Sequence, residues 1–165
     1  MLLAMVLVGR VWGADKYHCP PHPKTCPLEP PPERALFEAV CMLTSVPAER
    51  NIDRCKGIKS GEFRCACCGA LLFDGEDKCL SGTGWPSFSS SVPNAVCSPP
   101  ASSEVRCASC GLHLGDFFRD PGPAGGCFDS SGSPSRFCID GVCLLPPQGS
   151  GWGPGCTPIH TRDEI

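Results

Sequence analysis

The sequence predicts a small, loop-rich, mainly β domain that depends on staples rather than on a large apolar core. Nineteen glycines and nineteen prolines among 165 residues argue against long helices, and aromatic residues make up only 7% of the chain. Fifteen cysteines could supply the staples, either as disulfides or as metal ligands. Two Cys-x-x-Cys pairs, each flanked by short apolar strand candidates, indicate where one such staple lies.

The N-terminal residues 1–14 have the composition of a secretory signal. A short apolar run is followed by small residues at Gly13 and Ala14, an order that is typical of a cleavable signal peptide. The last four residues, Arg-Asp-Glu-Ile, are similar to a tail that retrieves proteins to the endoplasmic reticulum. We therefore expect the secretory pathway, either the endoplasmic reticulum lumen or the extracellular space. A mis-assigned start would instead leave the chain in the cytoplasm or in an organelle.

Residues 15–59 form an irregular extension that is rich in cysteine and proline. The prolines exclude helix and central strand from its first half, and one short helix is predicted over Glu33–Leu43 from its apolar periodicity. Disulfides or free thiols are favoured over a metal site that would also use His18 and His22, because the cysteine spacing is irregular. The cysteines concerned are Cys19, Cys26, Cys41 and Cys55.

The folded domain is predicted over 60–147 and is followed by a flexible tail at 148–165. Residues 62–73 indicate a strand, a tight knuckle and a second strand, and residues 104–118 repeat the pattern. The remaining elements are a loop with Gly82, Gly84 and Trp85, a Gly/Pro/Ser loop over 120–134, and a final strand over 136–145.

Each knuckle supplies two cysteines, and the four together have the donors for one metal ion. Four thiolates bind Zn²⁺ tetrahedrally in closed structural sites, so we predict one structural zinc per chain. Its ligands would be Cys65, Cys68, Cys107 and Cys110. Such a site contributes ~10–16 kcal/mol of binding free energy, which a domain poor in large apolar residues needs. The alternative is that these four cysteines form disulfides. Cys67, inside the first pair, is expected to be a spectator.

Charge and hydropathy exclude two classes of partner. The formal net charge is −3 and no long basic run is present, which argues against a nucleic acid held through its phosphates. No stretch approaches the ~20 apolar residues of a membrane span. The chain is expected to be a monomer without a membrane span or a nucleic-acid partner.

Four segments resemble one known family when taken together. GEFRCACCGALLF, KCLSGTGWPSF, EVRCASCGLHLGDFF and RFCIDGVCL follow one another in the order of the methionine-R-sulfoxide reductase B family, over 61–145. The resemblance implies an Mss4-like fold in which two antiparallel sheets form a tent or barrel, with the zinc at the end away from the active site. It implies a peptide-methionine (R)-S-oxide reductase, an oxidoreductase that repairs proteins after oxidative stress. A sulfenic acid would form during turnover and be recycled by thioredoxin or another thiol.

The resemblance also implies roles for individual residues. Cys138 stands at the position of the catalytic nucleophile, and Arg136 can favour its thiolate electrostatically. His113 and Asp116 stand at the positions that handle the substrate oxygen. An apolar slot for the substrate methyl group would be walled by Trp85, Phe88 and Phe118.

Three positions depart from the family pattern. Asp116 replaces the second histidine of His-Leu-Gly-His, and Asp140 replaces the asparagine of Cys-x-Asn. An aspartate with a pKa near ~4 is mostly ionised at neutral pH, so we expect a weaker acid and a less acidic Cys138. Thr83 occupies the position of the resolving cysteine in two-cysteine members. The candidates for that role are Cys79, Cys143 and Cys127, or else a cysteine of the N-terminal extension.

These departures leave two alternatives to a reductase. The first is a catalytically weak or inactive zinc-binding module of the same fold, indicated by the two added carboxylates. The second is a secreted scaffold that is held by disulfides and contains no metal.

Overall fold

The structure is a computed structural model that describes residues 19–29, 37–42 and 55–150. The predicted signal at 1–14 lies outside the described residues, and so does the tail beyond Ser150 with its Arg-Asp-Glu-Ile end. Within the described ranges no helix has the length and apolar character needed to cross a membrane.

Short antiparallel strands in two sheets make up most of the regular structure. The strands are β1 (Glu62–Cys65), β2 (Leu71–Asp74), β3 (Ser87–Phe88), β4 (Val96–Cys97), β5 (Glu104–Cys107), β6 (His113–Phe118), β7 (Arg136–Ile139) and β8 (Leu144–Leu145). One sheet has the order β2-β1-β8 and the other the order β3-β7-β6-β5-β4. The prediction of a mainly β fold with two antiparallel sheets is confirmed.

The two strand–knuckle–strand units are hairpins, as their repeated sequence pattern predicts. β1 pairs with β2 and β5 pairs with β6, each antiparallel and each with one irregularity in register. The apolar side chains that flank the knuckles are buried, among them Phe63, Phe73 and Leu114. The knuckles therefore project from hairpins that are fixed by the core.

The core between the sheets contains a small aromatic cluster. The Phe73 and Phe88 rings are stacked with centroids 4.4 Å apart, and Phe63 meets Phe88 edge-on at 5.2 Å. Aromatic pairs in these geometries contribute ~0.5–1.5 kcal/mol beyond the area they bury. Phe88 is completely buried, so its side chain belongs to the core.

The strand predicted over 136–145 is not continuous, which corrects that prediction. β7 ends at Ile139, a short 3₁₀ turn covers Gly141–Cys143, and β8 continues in the other sheet. The backbone amide of Asp140 donates to the carbonyl of Leu114 on β6. The chain changes sheets immediately after that bond, and an apolar run cannot reveal such a crossing because both halves are buried.

The helix predicted over Glu33–Leu43 is described only in part. Residues Glu38–Met42 form a short π-helical turn with Val40 and Cys41 buried, and the ends of the predicted helix lie outside the described residues. The disulfide between Cys41 and Cys143 attaches this turn to the segment between β7 and β8.

The described cysteines of the extension are all disulfide-bonded, which is one of the two states that the sequence favoured over a metal site. Cys55 is one of them. The bonds with both partners described are Cys19–Cys97, Cys26–Cys67, Cys41–Cys143 and Cys79–Cys127. Residues 19–29, called the strap below, have no regular secondary structure and are held to the domain by the first two bonds. Cys67 is thus the partner of Cys26.

Candidate active site and metal centre

The two knuckles bring four thiols together in the way that their spacing predicts. Cys65, Cys68, Cys107 and Cys110 place their sulfur atoms within 4.8 Å of one another. The Cys65 and Cys110 sulfurs are 3.8 Å apart, and the Cys68 and Cys107 sulfurs 3.7 Å. None of the four is in a disulfide. The cluster could therefore hold a metal ion.

The thiols of this cluster form hydrogen bonds with one another, so they do not all ionise together without a bound cation. Hydrogen bonds from Cys110 and Cys65 lower the pKa of Cys107 to about 2. The reverse holds for Cys65, whose pKa is raised mainly by its bonds to Cys107 and Cys110. One thiolate is thus stabilised by protons that its neighbours keep, and a bound metal ion would be needed to hold all four as thiolates.

A second cysteine site lies on the outer face of β6 and β7. Antiparallel pairing sets Asp116 of β6 directly opposite Cys138 of β7, and Phe118 opposite Arg136. Since side chains alternate along a strand, Arg136, Cys138 and the following Asp140 share one face, while Ile139 points into the core. We call this surface the thiol face.

The close approach of β6 to β7 beside the thiol requires glycine. A Cβ atom at Gly115 would lie 2.1 Å from the carbonyl oxygen of Cys138, a distance that no side chain permits. Gly115 also has a φ of 149°, which is rarely accessible to other residues. The glycine in His-Leu-Gly-Asp thus sets the distance between the histidine strand and the thiol strand.

Cys138 is partly buried among groups with opposing effects on its acidity. Burial raises the pKa of its thiol, and the charge of Asp140 raises it further. A hydrogen bond with the Thr83 hydroxyl, 3.8 Å from the sulfur, and the charge of Arg136 act against this rise without cancelling it. The free thiol form therefore predominates at neutral pH.

Arg136 is fixed beside the thiol before any substrate binds. Its guanidinium donates to both carboxylate oxygens of Asp120, at 2.8 and 3.0 Å, and lies 4.2 Å from the centroid of the Phe118 ring. A bidentate pair combined with ring stacking orients an arginine strongly. Asp120 also accepts from the amide of Gly122, so the loop after β6 contributes to this orientation.

His113 lies between two carboxylates. Its Nδ1 atom is 3.0 Å from Oε1 of Glu104, and its Nε2 atom is 3.2 Å from Oδ2 of Asp140. Burial lowers the pKa of His113, but the bonds to Asp140 and Glu104 outweigh burial and raise it above its ordinary value. The protonated imidazolium is thus favoured on this side of the thiol face.

Asp116 has a different environment from His113. Its Oδ1 atom accepts a hydrogen bond from the Ser103 hydroxyl at 2.7 Å. Its backbone is opposite Cys138 on one side and opposite Glu104 on the other. The carboxylate is therefore held one strand away from the thiol by a neutral donor.

Comparison with known proteins identifies the fold. The model of the SelR domain matches residues 41–146, which is more than half of the chain. The chain belongs to the SelR domain family. The described β1–β8 all lie inside this SelR match, and the strap lies before it.

The curated relatives of this SelR chain have closely related names. It is 41% identical over 92 residues to "Peptide methionine sulfoxide reductase MsrB" of Synechococcus sp. (strain RCC307), covering 51% of this chain and 61% of that protein. It is 39% identical over 94 residues to "Probable methionine-R-sulfoxide reductase B" of Caenorhabditis elegans, covering 52% and 57%. A third relative, "Peptide methionine sulfoxide reductase MsrB" of Pseudomonas entomophila (strain L48), is 33% identical over 136 residues, covering 70% and 96%. The chain thus spans about three fifths of the length of the first two relatives. The resemblance to the methionine-R-sulfoxide reductase B family is confirmed.

The SelR chain gathers most of the residues singled out from its sequence on the thiol face, with one exception. Cys138, Arg136, His113 and Asp116 lie on or beside it, and Trp85 lies partly buried on the loop that carries Thr83. Phe118 is there too, with Arg136 stacked on its ring. Phe88 is not, because it occupies the core position next to Ser87, and it is Ser87 that pairs with Cys138.

The three candidate resolving cysteines have no free thiol in this structure. Cys79 is bonded to Cys127, and Cys143 is bonded to Cys41. Each could act on Cys138 only after its own disulfide had been opened. The expectation of a free resolving thiol at any of these positions is therefore not met.

Two features of the site were missed by sequence reasoning. The first is Glu104, which binds His113. The sequence did contain a signal for this residue: Glu104 and Arg106 are opposite charges two residues apart, and they lie on the strand that pairs with the histidine strand. A row of hydroxyls links Ser87 to Ser81 at 2.7 Å and Ser81 to Thr83 at 2.9 Å, ending at the thiol. Serines in a loop give no such signal, since their partners depend on how the loop folds.

Proposed function

We propose that this protein reduces methionine-R-sulfoxide in proteins to methionine. The observation that carries the proposal is the position of Cys138. Among the described residues it is the one cysteine that is neither in a disulfide nor in the four-thiol cluster. It lies between the Thr83 hydroxyl and an oriented arginine, and the named relatives support the substrate class.

The first step is attack of the Cys138 thiolate on the sulfoxide sulfur. A bond forms between the two sulfurs, and it breaks again as the oxygen leaves the substrate sulfur for the cysteine sulfur. The substrate departs as the thioether, and Cys138 becomes a sulfenic acid. Two electrons move from the cysteine sulfur to the substrate. The proton that Cys138 loses on forming the thiolate is matched by the proton that the transferred oxygen takes up from the acid. Thr83 and Arg136 stabilise the attacking thiolate, which counteracts the rise in its pKa caused by burial and Asp140.

His113 is the acid in this proposal. Its raised pKa favours the protonated ring, and proton donation to the departing oxygen by a positioned side chain typically accelerates a reaction by about 10²–10⁴. Asp140 and Glu104 fix the orientation of the ring. Asp116 accepts a hydrogen bond from Ser103, and it has no part as the acid in this proposal.

Recycling of Cys138 requires an external thiol in this proposal. The cysteines proposed from the sequence are held in disulfides, and Thr83 rather than a cysteine contacts the sulfur. One external thiol would condense with the sulfenic acid and release water. A second thiol of thioredoxin or another dithiol would then reduce the mixed disulfide.

The four-thiol cluster is proposed to hold one structural Zn²⁺. A tetrahedral site with zinc–sulfur bonds of ~2.3 Å separates its sulfurs by ~3.8 Å, and the two hydrogen-bonded sulfur pairs lie at 3.8 and 3.7 Å. An all-thiolate donor set also fits zinc. The ion would hold the two hairpins together and would take no part in the reaction.

The secretory pathway is the proposed location. Disulfides persist in oxidising compartments and are rare where thiols are kept reduced. Four are fully described here, and Cys55 is in a further disulfide. Oxidised secretory or extracellular proteins would then be the substrates.

A single-turnover assay tests the proposed reaction without disturbing the disulfides. The protein is mixed with the R or the S epimer of a methionine-sulfoxide peptide in the absence of reductant. We expect close to one equivalent of methionine from the R epimer, none from the S epimer, and a sulfenic acid at Cys138 that a sulfenic-acid probe labels. The matched variant Cys138→Ser should give no product. Product from that variant, or equal use of the two epimers, would contradict the proposal.

The second candidate function is a metal-binding module of this fold without turnover. It is favoured by Asp116 beside the thiol and by the raised pKa of Cys138. Wild-type protein that contains stoichiometric metal, is fully folded and forms no methionine from either epimer would establish this alternative.

A further inference from the structure

The strap lies outside the residues matched by the family model but beside the active-site histidine. Its His22 is flanked by two tethers, the disulfide from Cys19 to Cys97 and that from Cys26 to Cys67. The first reaches β4, at the edge of the five-stranded sheet, and the second reaches the first knuckle. Two covalent bonds thus fix the course of the chain on both sides of this histidine.

The path of the strap across the second knuckle is equally restricted. A Cβ atom at Gly111 would lie 2.2 Å from the carbonyl oxygen of Pro21 and 2.7 Å from that of Pro20. Only glycine allows the strap backbone to lie this close. On the other knuckle, the amide of Leu28 donates to the carbonyl of Cys67 at 3.1 Å. His22 therefore sits on a backbone that is docked to both knuckles.

His22 approaches the same oxygen atom that binds the active-site histidine. Its Nε2 atom is 3.5 Å from Oε1 of Glu104, and that oxygen lies 3.0 Å from Nδ1 of His113. The other oxygen of Glu104 accepts from Arg106 at 2.7 Å. The Nδ1 atom of His22 is buried without a hydrogen-bond partner, so among the described residues Glu104 is the polar partner of this ring, through Nε2.

We propose that the strap is a positioning element of the active site, in which His22 covers the Glu104 oxygen that orients His113. An effect of His22 on catalysis rests on the proposed reductase function, in which His113 is the acid. The contact itself belongs to this chain whether or not it turns over substrate.

The charges around His113 indicate how His22 acts. The groups that face His113 are Asp140 after β7, Glu104 on β5, Arg106 through its bond to Glu104, and His22 from the strap. Burial and the charge of Arg106 lower the pKa of His22, so it is neutral at pH 7. A neutral ring keeps water from Oε1 of Glu104 without adding a competing charge. Removing it lets water bind that oxygen and weakens its attraction for the imidazolium.

The experiment measures the titration of His113 directly, by NMR of the full-length, histidine-labelled protein. Three variants are compared with wild type: His22→Ala, His22→Gln and Lys24→Ala. Lys24 is an exposed residue of the same strap and serves as the matched control. In His22→Ala we expect the pKa of His113 to fall by about 0.5, which is a threefold change in its protonation equilibrium. Glutamine is close to histidine in size, so it should still keep water from that oxygen and hold the pKa of His113 near its wild-type value, while Lys24→Ala should titrate as wild type does.

Two further measurements separate this inference from the proposed function. The alkaline limb of kcat/KM for the R epimer should move to lower pH in His22→Ala by the same amount. The double variant Cys19→Ser/Cys97→Ser, which frees one end of the strap, should reproduce the shift with His22 still present. An inactive wild-type protein would reject the reductase proposal while the NMR titration still decided the role of His22. Equal His113 titrations in wild type, His22→Ala and the double variant would overturn the positioning role.

Discussion

Two cysteine sites lie along the strand pair β5 and β6. The four-thiol cluster is at its knuckle end, and Cys138 on β7 lies beside β6 further along the pair. At the knuckle end, the sulfurs lie within 4.8 Å of one another. Cys138 instead faces a hydroxyl, an arginine and the carboxylate of Asp140. Thiols that are each other's neighbours can ionise together only if a cation joins them. A lone thiol can be ionised by dipoles and side-chain charges, which leaves it free to react.

The difference lies in what surrounds each cysteine rather than in burial alone. Cys138 is partly buried, as are Cys68 and Cys110 of the cluster. The knuckle glycines return the chain so tightly that the amides of Gly69 and Gly111 bond to the carbonyls of Cys65 and Cys107. Cys138 lies in the middle of a strand, where its neighbours come from β3 and β6. Turn geometry thus determines one site, and strand register the other.

The largest expected effect is loss of stability when the cluster loses one thiol. Cys107→Ser should lower the free energy of unfolding by at least ~5 kcal/mol, because a structural zinc contributes ~10–16 kcal/mol. In a chain of this size that corresponds to a fall in Tm of ~10–20 °C. Thermal unfolding followed by circular dichroism measures it, with Cys138→Ser as the control that should keep its Tm within ~2 °C. Equal Tm values in the two variants would mean that the cluster has no structural role.

The second expected effect is a gain in activity at the opposite site. Asp116→His should raise kcat/KM for the R epimer at pH 7 by about tenfold, since it supplies a proton donor on the strand opposite the thiol, where Asp116 now bonds to Ser103. Asp116→Asn removes the charge without supplying a strong acid. A similar gain in both variants would assign the effect to loss of the negative charge near the Cys138 thiolate. If Asp116→His gives no gain, Asp116 does not limit catalysis.

Sequence spacing was sufficient to predict the metal cluster and the two hairpins. Cys-x-x-Cys pairs between apolar strands imply their own geometry, because ligands and turn lie within a few residues. The thiol face required more. Cys138 and Asp116 meet through strand register, and the family resemblance rather than any local pattern brought them together in advance. Phe88 was misplaced for the same reason, since a one-residue difference along a strand reverses the face of a side chain.

Disulfide pairing was beyond the reach of the sequence. The cysteines of the extension show no regular spacing, and their partners Cys67, Cys97 and Cys143 are far along the chain. Connectivity between such residues follows from tertiary structure alone. The strap and its contact with Glu104 were therefore also unpredictable, although His22 stands between Cys19 and Cys26 in the sequence.

A third change makes the lone thiol resemble the cluster by giving it a thiol neighbour. Thr83→Cys places a second sulfur where the hydroxyl now lies 3.8 Å from the Cys138 sulfur. After one turnover without reductant, we expect most of the sulfenic acid to be replaced by an intramolecular disulfide, because an adjacent thiol condenses with it readily. Mass spectrometry of the intact protein and its peptides distinguishes the two products. Thr83→Ser keeps the hydroxyl and should retain the sulfenic acid. A sulfenic acid that persists in Thr83→Cys would show that the two positions do not meet during turnover.

The smallest expected effect is a pH dependence of stability that belongs to the thiol face. The folded protein raises the pKa of His113 above its unfolded value of ~6.5, so the protonated ring stabilises the native state. That contribution is complete below the unfolded pKa and is lost as the pH rises through the higher folded pKa. It should be of the order of 1 kcal/mol, as for a hydrogen bond to a charged group.

Urea unfolding between pH 6 and 9 measures it in wild type and in Asp140→Asn, which removes the charge 3.2 Å from Nε2. The slope should flatten in that variant and persist in Asp116→Asn, because the Asp116 carboxylate bonds to Ser103 rather than to the histidine. All three proteins are compared in the Cys138→Ser background, because Asp140 also raises the pKa of that thiol. The titrations of the cluster are then common to all three, so the difference between their slopes isolates the histidine. An unchanged slope in Asp140→Asn would remove the basis for assigning His113 as the acid.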